Sequence, residues 1–496
     1  MNEIKKTAGE SGWHLSRYNL SAEIPGTDSA AIANLFRGTC AAYNPLELYL
    51  LSVLDSLPED HPIIPRFAKR GIIARFDERA ALETLGRAAC ASSLGVTLTI
   101  CPTMNCNFDC PYCFEHHRPG KMSREVQDDV VALAERMLDV FGRTLRVIWF
   151  GGEPLLAADV IESLSESLMT MAKKKGAVYS AGIITNGYLL TQKNVDLLKN
   201  AGVTHCQVTL DGLGTAHNAT RRLAGGGATF ERIIGNLRSG KIPFRVHIRQ
   251  NVQKSNLDKV PEVRAFVRRL AGESGNWIDY APAPVTENKA TEERGGEVRY
   301  LCEHDCGEIG LLREVSRFRA GQGHYCGADT MRSVVIDEKG KLFKCWENAG
   351  DPDYAFGSAH DWTPKDPVNT AFAPDKLTMY LNTALPNGDL ECDDCVWLPL
   401  CSGGCPKQRL LGRKACFSLR NQPEKFVLAH RHIRTCDRRP RSRMLRQKSV
   451  FRYAGLALHP SGYRHRVLLD QLCVHQPVTA SFLQPEECLL ENILRT

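Results

Sequence analysis

The sequence has no uninterrupted apolar run of about 18 residues, the length that a membrane-spanning helix requires. Residues 1–20 contain two adjacent lysines but no apolar segment after them, so we expect no secretory signal peptide. We therefore expect a cytoplasmic protein that does not use a membrane as a partner. In that compartment thiols stay reduced.

The cysteine content of the chain is lower than that of a small disulfide scaffold. The chain has 19 cysteines in 496 residues, whereas such scaffolds have roughly 8–10% cysteine. The odd number also excludes complete internal pairing. Closely spaced cysteines in a reducing compartment are typical of metal sites, so the spacing of these residues indicates metal ligands.

The chain also lacks a strong excess of one charge. It has 63 Lys and Arg against 56 Asp and Glu, a net charge of +7. No zinc-finger, RRM or helix-turn-helix pattern accompanies this mild basicity, so we do not expect nucleic-acid binding. Hydrophobic residues make up 43% of the chain, which predicts a packed globular core.

Strand and helix patterns alternate from Val96 onward. Apolar segments predict strands at 96–101, 145–150, 178–185, 204–210, 244–252 and 277–281. The intervening segments predict helices that begin near Ser123, Ala158, Thr191, Thr229 and Leu257, the last interrupted near Pro261. The fold class is therefore predicted as α/β, with a partial (β/α)6 TIM-like barrel. In such folds the functional site lies at the carboxyl ends of the strands.

The segment before the barrel has a different pattern. Asn44 and Pro45 precede an apolar helical stretch, and Gly71 separates a helix end from a short strand. This predicts a small α+β domain over residues 1–92.

The first cysteine cluster follows the first barrel strand as Cys106-x3-Cys110-x2-Cys113. Three thiolates on one short loop can bind three corners of a cubane iron–sulfur cluster and leave the fourth iron open. Zinc is the alternative for this segment alone, because His116 or His117 could complete four ligands. The position on a βα loop at the mouth of the sheet favours the open iron–sulfur cluster.

This motif, with an aromatic residue before its last cysteine, resembles that of the radical S-adenosylmethionine (SAM) enzymes. The resemblance implies a 4Fe–4S cluster held by Cys106, Cys110 and Cys113, with SAM chelated to the open iron. In that family, electron transfer cleaves SAM to a 5′-deoxyadenosyl radical, which abstracts a hydrogen atom from the substrate. The cofactor carries out the chemistry, and the protein binds and orients the reactants and excludes water from them. An external donor of the flavodoxin or ferredoxin type is implied.

Further motifs at successive strand ends match the same family. Gly151-Gly152-Glu153-Pro154 corresponds to the family's motif for the SAM amino group. Arg221 corresponds to an arginine that pairs with the SAM carboxylate, because a guanidinium can donate two parallel hydrogen bonds to a carboxylate. Asn251 is expected on the ribose or nucleotide side, and the backbone of Tyr112 beside the adenine. The expected cofactor-binding residues are Tyr112, Gly151, Gly152, Glu153, Pro154, Thr185, Asn186, Asp211, Arg221 and Asn251.

A second set of cysteines resembles the SPASM extension of radical SAM proteins, which holds two auxiliary iron–sulfur clusters. The resemblance implies that auxiliary cluster I is bound by Cys326, Cys345 and Cys405. Auxiliary cluster II is bound by Cys392, Cys395 and Cys401, completed by Cys416 or by Cys436. The fourth position of cluster I is either supplied by Cys306 or left open to a substrate thiolate. Both clusters are expected to be of the 4Fe–4S type.

The expected domains are residues 1–92, the small α+β domain; 93–290, the radical SAM core; 291–436, the SPASM domain; and 437–496, a basic tail. The first domain resembles, weakly, the winged-helix modules that bind leader peptides by strand addition. A domain that merely covers the barrel is the alternative.

The resemblance implies an enzyme that modifies a peptide or protein. The first hypothesis is a maturase of a ribosomally made peptide, which installs a thioether, a crosslink or an epimer. The second is an anaerobic sulfatase-maturing enzyme that forms formylglycine, but there an acidic residue directly follows the cysteine that matches Cys345. Here Trp346 stands at that position and Glu347 follows it, which favours the first hypothesis. The alternative outside the enzymes is a non-enzymatic binding protein that metal stabilises.

Overall fold

The computed structural model describes residues 12–91, 95–285, 326–383, 390–413, 416 and 419–429. These residues fall into two compact units, the first of which holds 12–78 and 422–429 and the second the others. Cys302, Cys306 and Cys436, together with the basic tail at 437–496, lie outside the described residues. In the described part of the chain, no helix is both long enough and apolar enough to cross a membrane.

The first unit is a small α+β structure, as predicted. Its elements are β1 (His14–Leu15), β2 (Asn19–Glu23), β3 (Ala30–Asn34), β4 (Thr39–Tyr43), α1 (Pro45–Ser52), α2 (Ile64–Arg70) and β5 (Ile73–Ala74). Strands β2, β3 and β4 form an antiparallel sheet in that order, and β1 pairs with β5. The side chain of Asn44 caps α1, and Gly71 ends α2 with a φ of 73°, which confirms both sequence predictions.

The second unit contains six parallel strands that alternate with helices, which confirms the predicted barrel. The strands are β6 (Val96–Ile100), β7 (Thr144–Trp149), β8 (Val178–Thr185), β9 (Val203–Thr209), β10 (Arg245–Val252) and β11 (Ile278–Pro284). The helices are α3 (Glu78–Ala91), α4 (Arg124–Phe141), α5 (Ala158–Lys174), α6 (Gln192–Asn200), α7 (Thr215–Thr220), α8 (Phe230–Ser239) and α9 (Val260–Ser274). Each strand from β6 to β11 pairs with the next in sequence order.

The helix expected over residues 257–270, with an interruption near Pro261, changes from a 3-10 turn to an α-helix just before this proline. A short 3-10 turn at Leu257–Lys259 precedes α9, so Pro261 lies in the first turn of the helix proper. A proline is tolerated there because the first amide groups of a helix have no carbonyl partner within it.

The cysteine-rich segment adds strands to the edge of the barrel sheet. Its elements are β12 (Ser333–Ile336), β13 (Lys341–Phe343), β14 (Gly357–Ser358), α10 (Pro374–Leu381), α11 (Leu390–Asp393), α12 (Leu398–Cys401) and α13 (Pro406–Leu410). Strand β12 pairs in parallel with β6, and β13 and β14 follow as antiparallel strands. This pairing brings the turn after β12, at residues 337–340, to the same end of the sheet as the cysteine loop after β6.

Candidate functional site

The loop that carries Cys106, Cys110 and Cys113 follows β6 and is held by neighbouring backbone. The amide of Asp109 donates to the carbonyl of Arg222 at 3.1 Å, and the amide of Ala224 donates to the carbonyl of Asn107 at 2.9 Å. The side chain of Asn186, just past the end of β8, donates to Oδ1 of Asn107 at 2.8 Å. These bonds fix the loop over the carboxyl ends of the strands.

A cavity of about 240 Å³ lies under this loop. Most residues that the sequence assigned to the first cluster and to SAM line it, namely Cys106, Cys110, Tyr112, Cys113, Gly151, Gly152, Thr185, Asn186, Arg221 and Asn251. Glu153, Pro154 and Asp211 are buried and do not line the cavity. The sequence therefore predicted the cavity, but three of the named residues lie behind its wall.

The two glycines of the Gly-Gly-Glu-Pro motif pack against the chain just before Cys106. A Cβ on Gly152 would lie 2.3 Å from the carbonyl oxygen of Asn105, and one on Gly151 would lie 2.4 Å from that of Thr103. Gly151 also has a φ of 100°. Only glycine allows the chain at both positions to approach this backbone so closely.

Glu153 connects the ends of β7 and β8. Its carboxylate accepts hydrogen bonds from the amide of Leu155 at 3.1 Å, the hydroxyl of Thr185 at 2.7 Å and the amide of Asn186 at 2.7 Å. Burial raises the pKa of Glu153, and these three donors oppose that rise. In this structure Glu153 positions the lining residues Thr185 and Asn186.

Arg221 reaches the cavity from the segment after α7. Its Nη1 donates to the hydroxyl of Tyr112 at 2.9 Å, and Tyr112 in turn donates to Oδ2 of Asp211. The guanidinium is 8% exposed, and its Nε–H makes no hydrogen bond within the described structure. A buried cation with one free donor fits a carboxylate ligand.

The neighbouring His217 is neutral. Burial, reinforced by the charge of Arg221, lowers the pKa of His217 to about 3. Its Nδ1 accepts a hydrogen bond from the amide of Asp211 at 3.4 Å. His217 thus supports Asp211 and does not line the cavity.

The three cysteines fit a cluster better than a single metal ion. Among the described residues, no group of three His, Cys, Asp or Glu side chains converges as one metal ion requires. A cubane cluster spreads its thiolates over several irons. Burial, then the charge of Glu153, raises the pKa of the Cys106 thiol to about 12. A thiolate at this depth needs adjacent positive charge, which cluster irons provide.

Several of the later cysteines interact electrostatically with one another. Burial first, and then the charges of Cys395, Cys416 and Cys392, raise the pKa of Cys401 to about 12. The arginines at 409 and 420 approach this group, with Nη1 of Arg420 lying 3.2 Å from Sγ of Cys416 and Nη1 of Arg409 lying 3.7 Å from Sγ of Cys392. Cys401 thus interacts electrostatically with Cys392, Cys395 and Cys416.

The cysteines expected at auxiliary cluster I are Cys326, Cys345 and Cys405. Burial raises the pKa of Cys326, and the charge of Cys405 adds to it. Burial also raises the pKa of Cys345, with further contributions from Glu347 and Cys326. Cys326 thus interacts electrostatically with Cys345 and with Cys405.

Several residues of the cavity wall were not among the expected cofactor-binding residues. They are Phe108, Phe114, Glu115, His117, Phe150, Ile184, Gln207, Thr209, Arg249, Pro284, Val285, Trp346 and Glu347. Gln207 and Thr209 alternate along β9, so polar side chains at alternate positions of a barrel strand could have indicated them. Trp346 and Glu347 lie there because β12 and β13 extend the sheet, which no local motif predicted.

Comparison with known proteins agrees with this geometry. Residues 100–243 match the family model of the radical SAM superfamily. The chain carries a radical SAM domain. The matched segment includes the cysteine loop, the Gly-Gly-Glu-Pro motif and Arg221.

Relatives of the radical SAM domain carry out different reactions. The AdoMet-dependent heme synthase of Nitratidesulfovibrio vulgaris is 31% identical over 173 residues, which are 34% of this chain and 43% of that protein. The chain therefore spans less than half the length of this relative. The PqqA peptide cyclase of Gluconobacter oxydans is 27% identical over 276 residues, which are 53% of this chain and 73% of that protein.

A solved structure shows the same fold. The structure of native anSMEcpe with bound AdoMet aligns with a TM-score of 0.53 at 21% identity and covers 69% of this chain and 98% of that one. This similarity concerns the fold and leaves the reaction of the present radical SAM domain open.

Proposed function

We propose that this chain is a radical SAM maturase that modifies a ribosomally made peptide by forming a thioether or a crosslink or by epimerisation. The observation that carries the proposal is the shared cavity of Cys106, Cys110, Cys113 and Arg221 at the strand ends of the barrel. The peptide-cyclase name of one relative supports a peptide substrate.

The residues present fit a 4Fe–4S cluster with SAM. When bound, this group would supply one-electron cleavage of SAM and hydrogen-atom abstraction from the substrate. Cys106, Cys110 and Cys113 would hold three irons, and Arg221 would bind the carboxylate through its free Nε–H. Gly151 and Gly152 would let the backbone after β7 pack closely against the chain before Cys106.

We further propose two auxiliary iron–sulfur clusters. Cluster I would be bound by Cys326, Cys345 and Cys405, and cluster II by Cys392, Cys395, Cys401 and Cys416. The electrostatic interactions among these thiols support this division. An electron donor of the flavodoxin or ferredoxin type and a reducing cytoplasm belong to the same proposal.

The first unit is proposed to bind the leader segment of the peptide. Within the described residues, β2 and β4 each pair with β3 alone, so each leaves an edge to which a strand can add. Helix α1 follows β4 directly and exposes Leu46 at 66% and Tyr49 at 62%. Apolar side chains beside a sheet edge suit a peptide that binds through main-chain hydrogen bonds and side-chain contacts.

Formylglycine formation is the second candidate, and the position of Glu347 favours it. Although Glu347 is one residue further from Cys345 than in sulfatase-maturing enzymes, its side chain lines the cavity. Incubation with a cysteine-containing sulfatase-motif peptide tests this candidate, because formylglycine changes the peptide mass in a defined way. Absence of that mass change would remove it.

Anaerobic reconstitution tests the main proposal. Three cubane clusters predict about 12 irons per chain and release of 5′-deoxyadenosine from SAM on reduction. Bound zinc in place of iron, with no SAM cleavage, would instead show a metal-stabilised binding protein.

A further inference from the structure

Three aromatic rings form a continuous stack in the cavity wall. The rings of Phe114 and Phe150 have centroids 6.3 Å apart and planes 22° apart. The rings of Phe150 and Trp346 have centroids 5.4 Å apart and planes 27° apart. All three residues line the cavity. The stack runs from the residue after Cys113 to the residue after Cys345.

The stack ends in an accessible ring. Phe150 is 7% exposed, whereas Trp346 is 41% exposed. One face of the indole therefore packs on Phe150, and a large part of the remaining surface is accessible at the cavity. Tryptophan is seldom left exposed inside a cavity wall unless another group stacks on it, since aromatic side chains bury a large apolar area when covered.

Charges around the indole do not favour a cationic partner. Oε2 of the adjacent Glu347 lies 3.0 Å from Nζ of Lys407, and the two side chains are 19% and 11% exposed. Lys407 thus balances the charge of Glu347. The cavity also holds Glu115, which is 4% exposed and follows Phe114 at the opposite end of the stack. The nearly parallel planes of the existing stack instead suit a fourth flat, neutral ring.

We propose that Trp346 is a specificity-determining residue that stacks on an aromatic side chain of the substrate peptide. This inference rests on the proposed peptide-modifying function and names the side chain that the cavity selects. Because Trp346 directly follows Cys345 and its other face packs on Phe150, the aromatic side chain would lie at the Cys345 end of the stack, beside a cysteine of proposed auxiliary cluster I.

Binding of small probes to the reconstituted full chain tests this inference. Saturation-transfer NMR gives the affinity for N-acetyl-phenylalaninamide and for N-acetyl-lysinamide. We expect the phenylalanine probe to bind more tightly, and Trp346→Ala to weaken it about fivefold while Trp346→Phe retains it. Trp277→Ala is the matched control, because Trp277 is 43% exposed and lies outside the cavity.

Equal iron content in all variants excludes misfolding as the cause of a loss. Equal affinity of Trp346→Ala and the wild type, or equal binding of the two probes, would overturn the inference. Reductive SAM cleavage is measured on the same wild-type sample. Cleavage without selective probe binding overturns only the role of Trp346, whereas selective probe binding without cleavage overturns only the proposed enzyme function.

Discussion

The hydroxyl of Thr185 donates to Oε1 of Glu153 at 2.7 Å and so joins the carboxyl ends of β7 and β8. The sequence suggested Glu153 as a cofactor contact, whereas the structure places it behind the residues that line the cavity. The integrity of the site therefore depends on a carboxylate that does not itself line it.

Replacement of Glu153 by glutamine should destabilise the fold and weaken SAM binding. The carboxylate accepts bonds from two backbone amides and one hydroxyl, and a carboxamide has only one oxygen to accept them. We expect a loss of about 1–3 kcal/mol in the free energy of unfolding. Chemical denaturation and equilibrium dialysis with SAM measure the two effects. Exposed Glu166 on α5 provides the control Glu166→Gln, and an unfolding midpoint equal to the wild type for Glu153→Gln would refute the positioning role.

Replacement of Gly152 by alanine should displace the cysteine loop. The added methyl group would lie 2.3 Å from the carbonyl oxygen of Asn105, next to Cys106. We expect reconstitution to yield about 8 irons in place of about 12, because the first cluster is lost and the others remain. Gly272→Ala in α9 is the control, since its methyl group would meet no atom within 4 Å. A full complement of iron in Gly152→Ala would contradict the close packing.

The two arginines beside Cys392 and Cys416 should raise the reduction potential of proposed auxiliary cluster II. Hydrogen bonds to cysteine sulfur and nearby positive charge stabilise the reduced cluster. We therefore expect Arg420→Gln to lower the potential, Arg409→Gln to lower it less, and Arg420→Lys to stay closer to the wild type. Potentiometric titration followed by electron paramagnetic resonance measures this order. A potential that is unchanged or higher in Arg420→Gln would contradict it.

Deletion of residues 1–77 tests the proposed leader-binding unit. We expect weaker binding of the precursor peptide and unchanged SAM cleavage in the absence of peptide, because the cavity residues all lie in the second unit. Fluorescence anisotropy of a labelled precursor measures the affinity. If the truncated chain binds the precursor as tightly as the full chain, the first unit does not recognise the leader.

The alternation of strands and helices could be predicted because each element has a strong local signal. The apolar segments at β6 to β11 are bounded by turns, and Ser123 caps α4 with its own side chain. Thr229 stands at the predicted cap position of α8, but its hydroxyl donates to the carbonyl of Arg221 at 2.5 Å. The residue type indicates where a helix begins, whereas tertiary contacts decide which group its side chain forms a hydrogen bond with.

The remaining parts depend on contacts between distant segments. Strand β12 has only four residues, and its pairing with β6 decides that Trp346 reaches the cavity. Two of the three hydrogen-bond donors to Glu153, the hydroxyl of Thr185 and the amide of Asn186, come from the end of another strand, so its motif could not show that the carboxylate is enclosed. The two proposed sets of auxiliary-cluster ligands could be suggested from the sequence for different reasons. Cys392, Cys395 and Cys401 are close together in the chain, whereas Cys326, Cys345 and Cys405 were suggested by the family pattern.

The most direct test of the radical SAM assignment compares Cys106→Ala with Cys206→Ala. Cys206 is buried in β9, so its replacement also removes a buried sulfur but leaves the proposed ligands intact. The account predicts that reduced, reconstituted Cys206→Ala releases 5′-deoxyadenosine from SAM and that Cys106→Ala releases none. Release of 5′-deoxyadenosine by Cys106→Ala at the rate of the wild type would contradict the assignment of the site.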